Sequence, residues 1–164
     1  MTDGQILYSK VANRYFIKFT GTLRYTISRG LDVFLNKMFE DPALEDVLLD
    51  ISEAEYFDST NLGLLAKIAS QMQKRFNRKV TLFSTNPNIN FLLDNIGLNK
   101  VFIIVDKPDF TAENLQKIPD LQDTERERAL VILEAHRQLM ALNETNHDTF
   151  KSIVELLEKD VSKS

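Results

Sequence analysis

Few side chains in this chain can carry chemistry, and three of them stand together: Asp58, Ser59 and Thr60. There is no cysteine, which removes disulfides, thiol catalysis and thiolate metal sites at once. The only histidines, His136 and His147, lie far along the chain from that serine, so the sequence supports neither a metal site nor a Ser-His pair. Five glycines leave little material for a phosphate-cradling loop, and none is present. What remains is a carboxylate followed by two hydroxyls. Such a trio either caps a helix or offers an oxygen for modification.

The elements around the trio decide where it sits. Val47–Ile51 reads as a strand, and its near-continuous apolar character suits burial on both faces, as in a parallel sheet with crossover helices. Asp50 interrupts it, and an aspartate at a strand end commonly accepts from loop N–H groups. Ser52–Phe57 reads as a loop, with Tyr56 and Phe57 anchoring it in the core. After the trio, Leu62, Leu65, Ala66, Ala69, Met72 and Phe76 form a stripe with helical spacing. Ser59 and Thr60 therefore fall at a helix start, beside unpaired N–H groups and the positive end of the dipole. A hydroxyl there can cap the helix, and a phosphate there meets ready donors. Local chemistry alone favours the cap.

The wider run VLLDISEAEYFDSTNLGLLAKIA resembles the signature of STAS domains, the anti-sigma-factor-antagonist modules of bacteria that are also found appended to anion transporters. A second match is NPNINFLLDNIGLNKVFIIVD, where a short helix ends at a Gly-Leu pair before a last strand. The resemblance spans about Gln5 to Asp106 in consistent element order. It implies an α/β fold with a mixed five-stranded sheet and packed helices. It also implies that Ser59 is a reversible phosphorylation site, with Asp58, Thr60, Asn61 and Gly63 around it in the partner interface. The loop from Gly21 to Tyr25 would contribute to that surface, which places Arg24 near the phosphate, although a solvated loop arginine is the plainer reading. Gly63 keeps one glycine of the family pattern. Asn61 departs from it, standing where the family usually has glycine, and lengthens the side chain beside the phosphosite.

On that resemblance the chain is a phosphorylation-gated partner switch in transcription regulation, and not an enzyme. The unphosphorylated form would sequester an anti-sigma factor, a serine kinase of the anti-sigma type would add phosphate, and a metal-dependent serine phosphatase would remove it. No cofactor is implied. A phosphorylation-independent scaffold and a small-molecule-sensing adaptor stay open as alternatives, as does the oligomeric state.

The rest of the chain fits around this centre. Gln5–Val11 and Arg14–Thr20 read as a hairpin that Gly21 ends. Thr26 or Ser28 can cap a helix with Ile27, Leu31, Phe34, Leu35 and Met38 inward. Lys74, Arg75, Arg78 and Lys79 suit a helix C-terminus better than a nucleic-acid site. Residues 1–106 form the STAS-like domain and 107–119, with two prolines, read as a linker. Residues 120–164 carry two amphipathic helices joined by Asn143–Asn146, an α-helical hairpin whose apolar faces need a cover. At 164 residues, 43% hydrophobic and 27% charged, the chain can build a core. A net charge of −4 argues against nucleic acid. With no signal peptide and no apolar run of membrane-spanning length, a soluble cytoplasmic protein is expected.

Overall fold

The structure, a computed structural model, describes residues 3–108 and 112–163. The chain opens with β1 (Gln5–Val11) and β2 (Arg14–Leu23), an antiparallel hairpin whose turn holds Ala12 at a φ of 56°. One 3-10 turn, Tyr25–Ile27, leads into α1 (Ser28–Glu40). Then follow β3 (Asp46–Phe57), α2 (Ser59–Phe76), β4 (Val80–Phe83), α3 (Pro87–Ile96) and β5 (Phe102–Val105). A two-residue strand, β6 (Gln116–Lys117), precedes α4 (Glu125–Met140) and α5 (Glu144–Lys163).

The sheet runs in the order β5-β4-β3-β2-β1-β6. The pairs β2–β3, β3–β4 and β4–β5 are parallel, while β1 is antiparallel to both its neighbours. This is the expected mixed sheet with one strand more. The sixth comes from the stretch read as a linker: Gln116 and Lys117 pair with Tyr8 and Leu7, the Ile118 N–H donates to the Ile6 carbonyl, and Ile118 is buried. Residues 109–111 of that stretch lie outside the described residues.

Burial alternates along the first half of β3, with Val47, Leu49 and Ile51 buried while Leu48, Asp50 and Ser52 are half-buried. The strand is thus packed on one face, not two as its apolar sequence suggested. Ile17, Phe19, Leu49 and Leu82 of the sheet share one core with Leu31 and Leu35 of α1, Leu65 and Ile68 of α2, and Leu93 of α3.

Two boundaries differ from the sequence reading. Gly21 does not end β2: it sits inside the strand at a φ of 72°, next to register irregularities between Lys18 and Thr20 and between Gly21 and Thr22. Likewise Ser52–Phe57 is not a loop but the second half of β3, paired with Thr20–Leu23. The irregularities shift which side chains face the core, so Ala54 and Phe57 are buried while Tyr56 is exposed, and the period-2 signal is lost. Phe57 packs on Phe19 with ring centroids 5.6 Å apart. This long strand delivers the chain directly to the start of α2.

Candidate functional site

Asp58 is the N-cap of α2: its Oδ1 accepts from the Asn61 N–H at 2.9 Å. The same oxygen accepts from the Asn61 side-chain amide at 3.0 Å, and Oδ2 accepts from the Tyr25 N–H at 2.6 Å. The Asp58 N–H donates to the Leu23 carbonyl at 3.0 Å. One carboxylate therefore closes the helix end and ties it to the turn before α1. Arg24 precedes Tyr25 in that turn, and its side chain is exposed.

Asn61 is fully buried, and its side chain points inward. Its amide donates to Asp58 and its Oδ1 accepts from the Ser28 hydroxyl at 3.4 Å. The asparagine that stands in place of the usual glycine thus braces α2 against α1, rather than lengthening the surface beside Ser59. Thr60 and Gly63 are buried too, and of the six residues singled out by sequence only Arg24 is exposed; Asp58 and Ser59 are half-buried.

Ser59 is the first residue of α2, and with Asp58 capping, its hydroxyl is not needed for the helix end. It goes elsewhere. The Ser59 Oγ lies 2.9 Å from Nε2 of His136, 77 positions along the chain on α4. The other ring nitrogen, Nδ1, lies 2.7 Å from the Ile132 carbonyl. A carbonyl only accepts, so Nδ1 carries the hydrogen; in the neutral ring Nε2 is then the acceptor and the serine hydroxyl donates. His136 is only 3% exposed, and its ring meets the Phe150 ring of α5 edge-on at 5.6 Å.

This Ser-His pair is the feature that sequence reading set aside. The donor order is that of a nucleophile and its base. However, the ring is oriented by a backbone carbonyl instead of a carboxylate and is sealed between two helices. Two of the larger cavities lie elsewhere, one against β1 and one between α2 and the α4–α5 turn. The ring closes one side of the hydroxyl, and Ser59 itself is half-buried.

α4 reaches this site because α2 has small residues there. A Cβ added at Gly63 would lie 2.7 Å from the Ala135 Cβ, closer still to the Ala135 carbonyl oxygen. At its N-terminal end α4 also grips the first turn of α1 and the turn before it. Glu127 pairs with Arg29, the Arg29 guanidinium donates to the Gln122 carbonyl at 3.5 Å, and Arg128 stands 5.7 Å over the Tyr25 ring. Arg128 also bonds Asp123 at 2.9 Å, which holds the Asp123 carboxyl below the usual carboxylate range. At the far end the Asn146 amide donates to the Ile96 carbonyl at 2.8 Å.

Among the described residues no group of three His, Cys, Asp or Glu side chains is placed to hold a metal, and no helix is long and apolar enough to cross a membrane.

The STAS domain family model matches residues 8–116, so the match stops in β6 and leaves α4 and α5 outside it. Among solved structures, the chain is similar to the anti-sigma factor antagonist SpoIIAA in its unphosphorylated form. The identity is 13%, the TM-score 0.54, and the likeness covers 63% of this chain and 89% of that one. It is similar also to an anti-sigma factor antagonist from Mycobacterium paratuberculosis, at 17% identity and a TM-score of 0.55, over 65% of this chain and 89% of that one. At these identities the likeness is one of fold. Curated protein sequences give no match.

Proposed function

Because the chain belongs to the STAS domain family, whose model matches more than half of it, we propose that it is a protein-binding switch gated by phosphorylation of Ser59. Its unphosphorylated form captures an anti-sigma factor in the cytoplasm. A serine kinase of the anti-sigma type adds the phosphate and a metal-dependent serine phosphatase removes it. The partner class is drawn from the two structural neighbours, both described as anti-sigma factor antagonists. In this reading residues 1–106 carry the switch and 120–164 are an extension that acts on it.

The observation that carries the proposal is the division of labour at the start of α2. Asp58 caps the helix, so the Ser59 hydroxyl can be esterified without unmaking the cap. A phosphate there brings about −1.5 to −2 charges at neutral pH. The helix start offsets part of that charge, typically by about 0.3–2 kcal/mol, but the Asp58 carboxylate stands next to it. Tight complexes rest on a few central contacts, so a dianion placed among them releases the partner without a change of fold.

The test is binding and modification together. Incubation with the cognate kinase adds one phosphate by intact mass, and Ser59→Ala abolishes it; phosphate that persists in that variant, or disappears only with Thr60→Ala, moves the site. Ser59→Asp binds the anti-sigma factor more weakly than Ser59→Ala by calorimetry, and equal affinities end the gating.

One observation favours a second reading, a phosphate-independent scaffold that docks partners on its helical hairpin. Ile153 and Leu156, one turn apart on α5, are 42% and 60% exposed. Loss of partner binding on Ile153→Ser with Leu156→Ser, with Ser59→Asp silent, selects that scaffold.

A further inference from the structure

The face on which a Ser59-gated partner would dock is already occupied by α4, a part of the same chain that lies beyond the matched domain. We propose that the α4–α5 hairpin is an intramolecular cover over this docking surface, latched by the Ser59–His136 hydrogen bond, and that phosphorylation of Ser59 and closure of the hairpin exclude each other. The inference rests on the reading of Ser59 as the phosphoacceptor.

Position comes first. The hairpin touches the two places a partner would need. On α2 the contact runs through His136 at Ser59 and Ala135 at Gly63. At the start of α1 it runs through Arg128 over Tyr25 in the preceding turn and Glu127 on Arg29 in the helix itself. A partner that packs on Gly63, or on the side of Ser59 that His136 holds, has to displace α4.

The cover also has the build of something that lifts. Val131 and Leu133 of α4 and Val154 of α5 are buried, yet none of them joins the main core. Of the hairpin's fully buried apolar side chains, only Ala135 and Leu139 do, with Leu142 and Phe150 packed half-buried against it. α5 folds back along α4, with Arg126 near the start of α4 donating to the Val161 carbonyl near the end of α5 at 2.6 Å. The two helices thus retain an interior of their own when they leave the domain.

The latch follows from proton positions. Closed, the Ser59 hydroxyl supplies the hydrogen and Nε2 supplies a lone pair, because Nδ1 holds its own hydrogen against Ile132. Esterification removes the hydroxyl hydrogen. The ester oxygen then faces a lone pair, and the three phosphate oxygens have to find room where 2.9 Å separates Oγ from a ring that is 3% exposed. An acceptor against an acceptor beside a buried ring is unfavourable, and so is a dianion crowded against that ring on a residue that is itself half-buried. Opening the hairpin relieves both. In the unphosphorylated chain the same latch shields the hydroxyl from a kinase, so the anti-sigma factor and the kinase each face a closed form first.

The experiment needs neither a kinase nor a partner. Phosphoserine is incorporated at position 59 of the full chain by an expanded genetic code, and amide hydrogen exchange is compared with wild type, Ser59→Ala and His136→Gln. With phosphoserine, exchange across 125–163 rises by about tenfold or more, as expected for lost local hydrogen bonds and packing, while β2–β4 keep their protection as the control for folding. Ser59→Ala and His136→Gln, which remove the latch without the charge, show smaller rises in the same segment. Unchanged protection across 125–163 with phosphoserine overturns the proposal. So does greater protection, which would mean that the hairpin clamps the phosphate instead of yielding to it. A protein that opens here but is never phosphorylated by its kinase retains the cover and refutes the Ser59 switch; one that is phosphorylated and gated without opening does the reverse.

Discussion

The starts of α2 and α4 solve one problem in two ways. At α4, Thr124 accepts from the Glu127 N–H at 3.1 Å and the Glu127 carboxylate accepts from the Thr124 N–H at 3.0 Å. This capping box is exposed and spans four residues, so every bond in it is local. At α2 the cap is a carboxylate, and its oxygens bind a second element as well, through Tyr25, and a buried amide, through Asn61. A hydroxyl that caps is used up, as at Thr124. A hydroxyl that follows an aspartate cap is left over, as at Ser59, and the fold can spend it on a contact with a distant helix. The local cap closes within four residues, whereas the shared one also reaches Tyr25, 33 positions away.

Removing each cap separates the two cases most widely. Thr124→Ala loses a single exposed box and lowers stability by about 1 kcal/mol. Asp58→Ala loses a cap of about 0.5–2 kcal/mol and leaves the fully buried Asn61 amide short of an acceptor, which adds about 1–3 kcal/mol. The expected total for Asp58→Ala is about 1.5–5 kcal/mol, read from urea unfolding at neutral pH. Equal losses in the two variants would mean that the bonds from Asp58 to Tyr25 and Asn61 add nothing, and the contrast fails.

A smaller effect tests whether α2's start is covered as tightly as its geometry implies. Glycine inside a helix is ordinarily less stable than alanine by about 0.5–1 kcal/mol, so Gly63→Ala would be stabilising on an open helix. Here the added methyl meets Ala135, and overpacking of a close contact costs about 1–3 kcal/mol. The net expectation is a loss of about 1 kcal/mol, with faster exchange in α4. A gain in stability would show that α4 is not seated on Gly63.

The parts of this arrangement that could be read from sequence are those written in short-range patterns. The stripe Leu62, Leu65, Ala66, Ala69 and Met72 is buried as expected, whereas Phe76 at its end is 37% exposed. The order of strands and helices through β5, and the helical pair beyond, were also legible, because each rests on a local period or a turn residue. The second half of β3 was not, since the irregularities opposite Lys18–Thr22 break the alternation by which a strand is recognised. β6 was missed for a different reason: two residues show no period at all, and only the edge of β1 makes them a strand. At the site, the sequence located Ser59 and its helix start but not what the hydroxyl touches. His136 falls on the apolar side of α4 among Ile132, Leu133, Leu139 and Met140, and a buried histidine on such a face gives no sign of its partner 77 positions away. The one available signal was a pair of features: an aspartate preceding the serine, which makes the hydroxyl spare, and a lone histidine in a stripe with nothing yet assigned to cover it.

The smallest effect concerns acid and the box at α4. The Asp123 carboxyl is held below its ordinary value first by the hydrogen bond from Arg128, and the Glu127 carboxyl first by the backbone N–H of Thr124. A folded value lower than the unfolded one means that the unfolded chain takes up protons first as pH falls. The stability these two groups supply is therefore present in full above their unfolded values, about 3.9 for Asp and 4.3 for Glu, and is lost as pH drops through their folded values. Arg128 isolates one of the two. Comparing Arg128→Gln with wild type by urea unfolding gives a gap at pH 6 that contains both the Asp123 bond and the stacking of the guanidinium over Tyr25. At a pH near 3 the Asp123 share is fading while the stacking persists, because the arginine stays charged. The gap narrows with acid. A gap that stays constant assigns the whole contribution of Arg128 to Tyr25, which would make the near end of the hairpin a contact with the turn before α1 and leave the box at Thr124 to stand on its own backbone bonds.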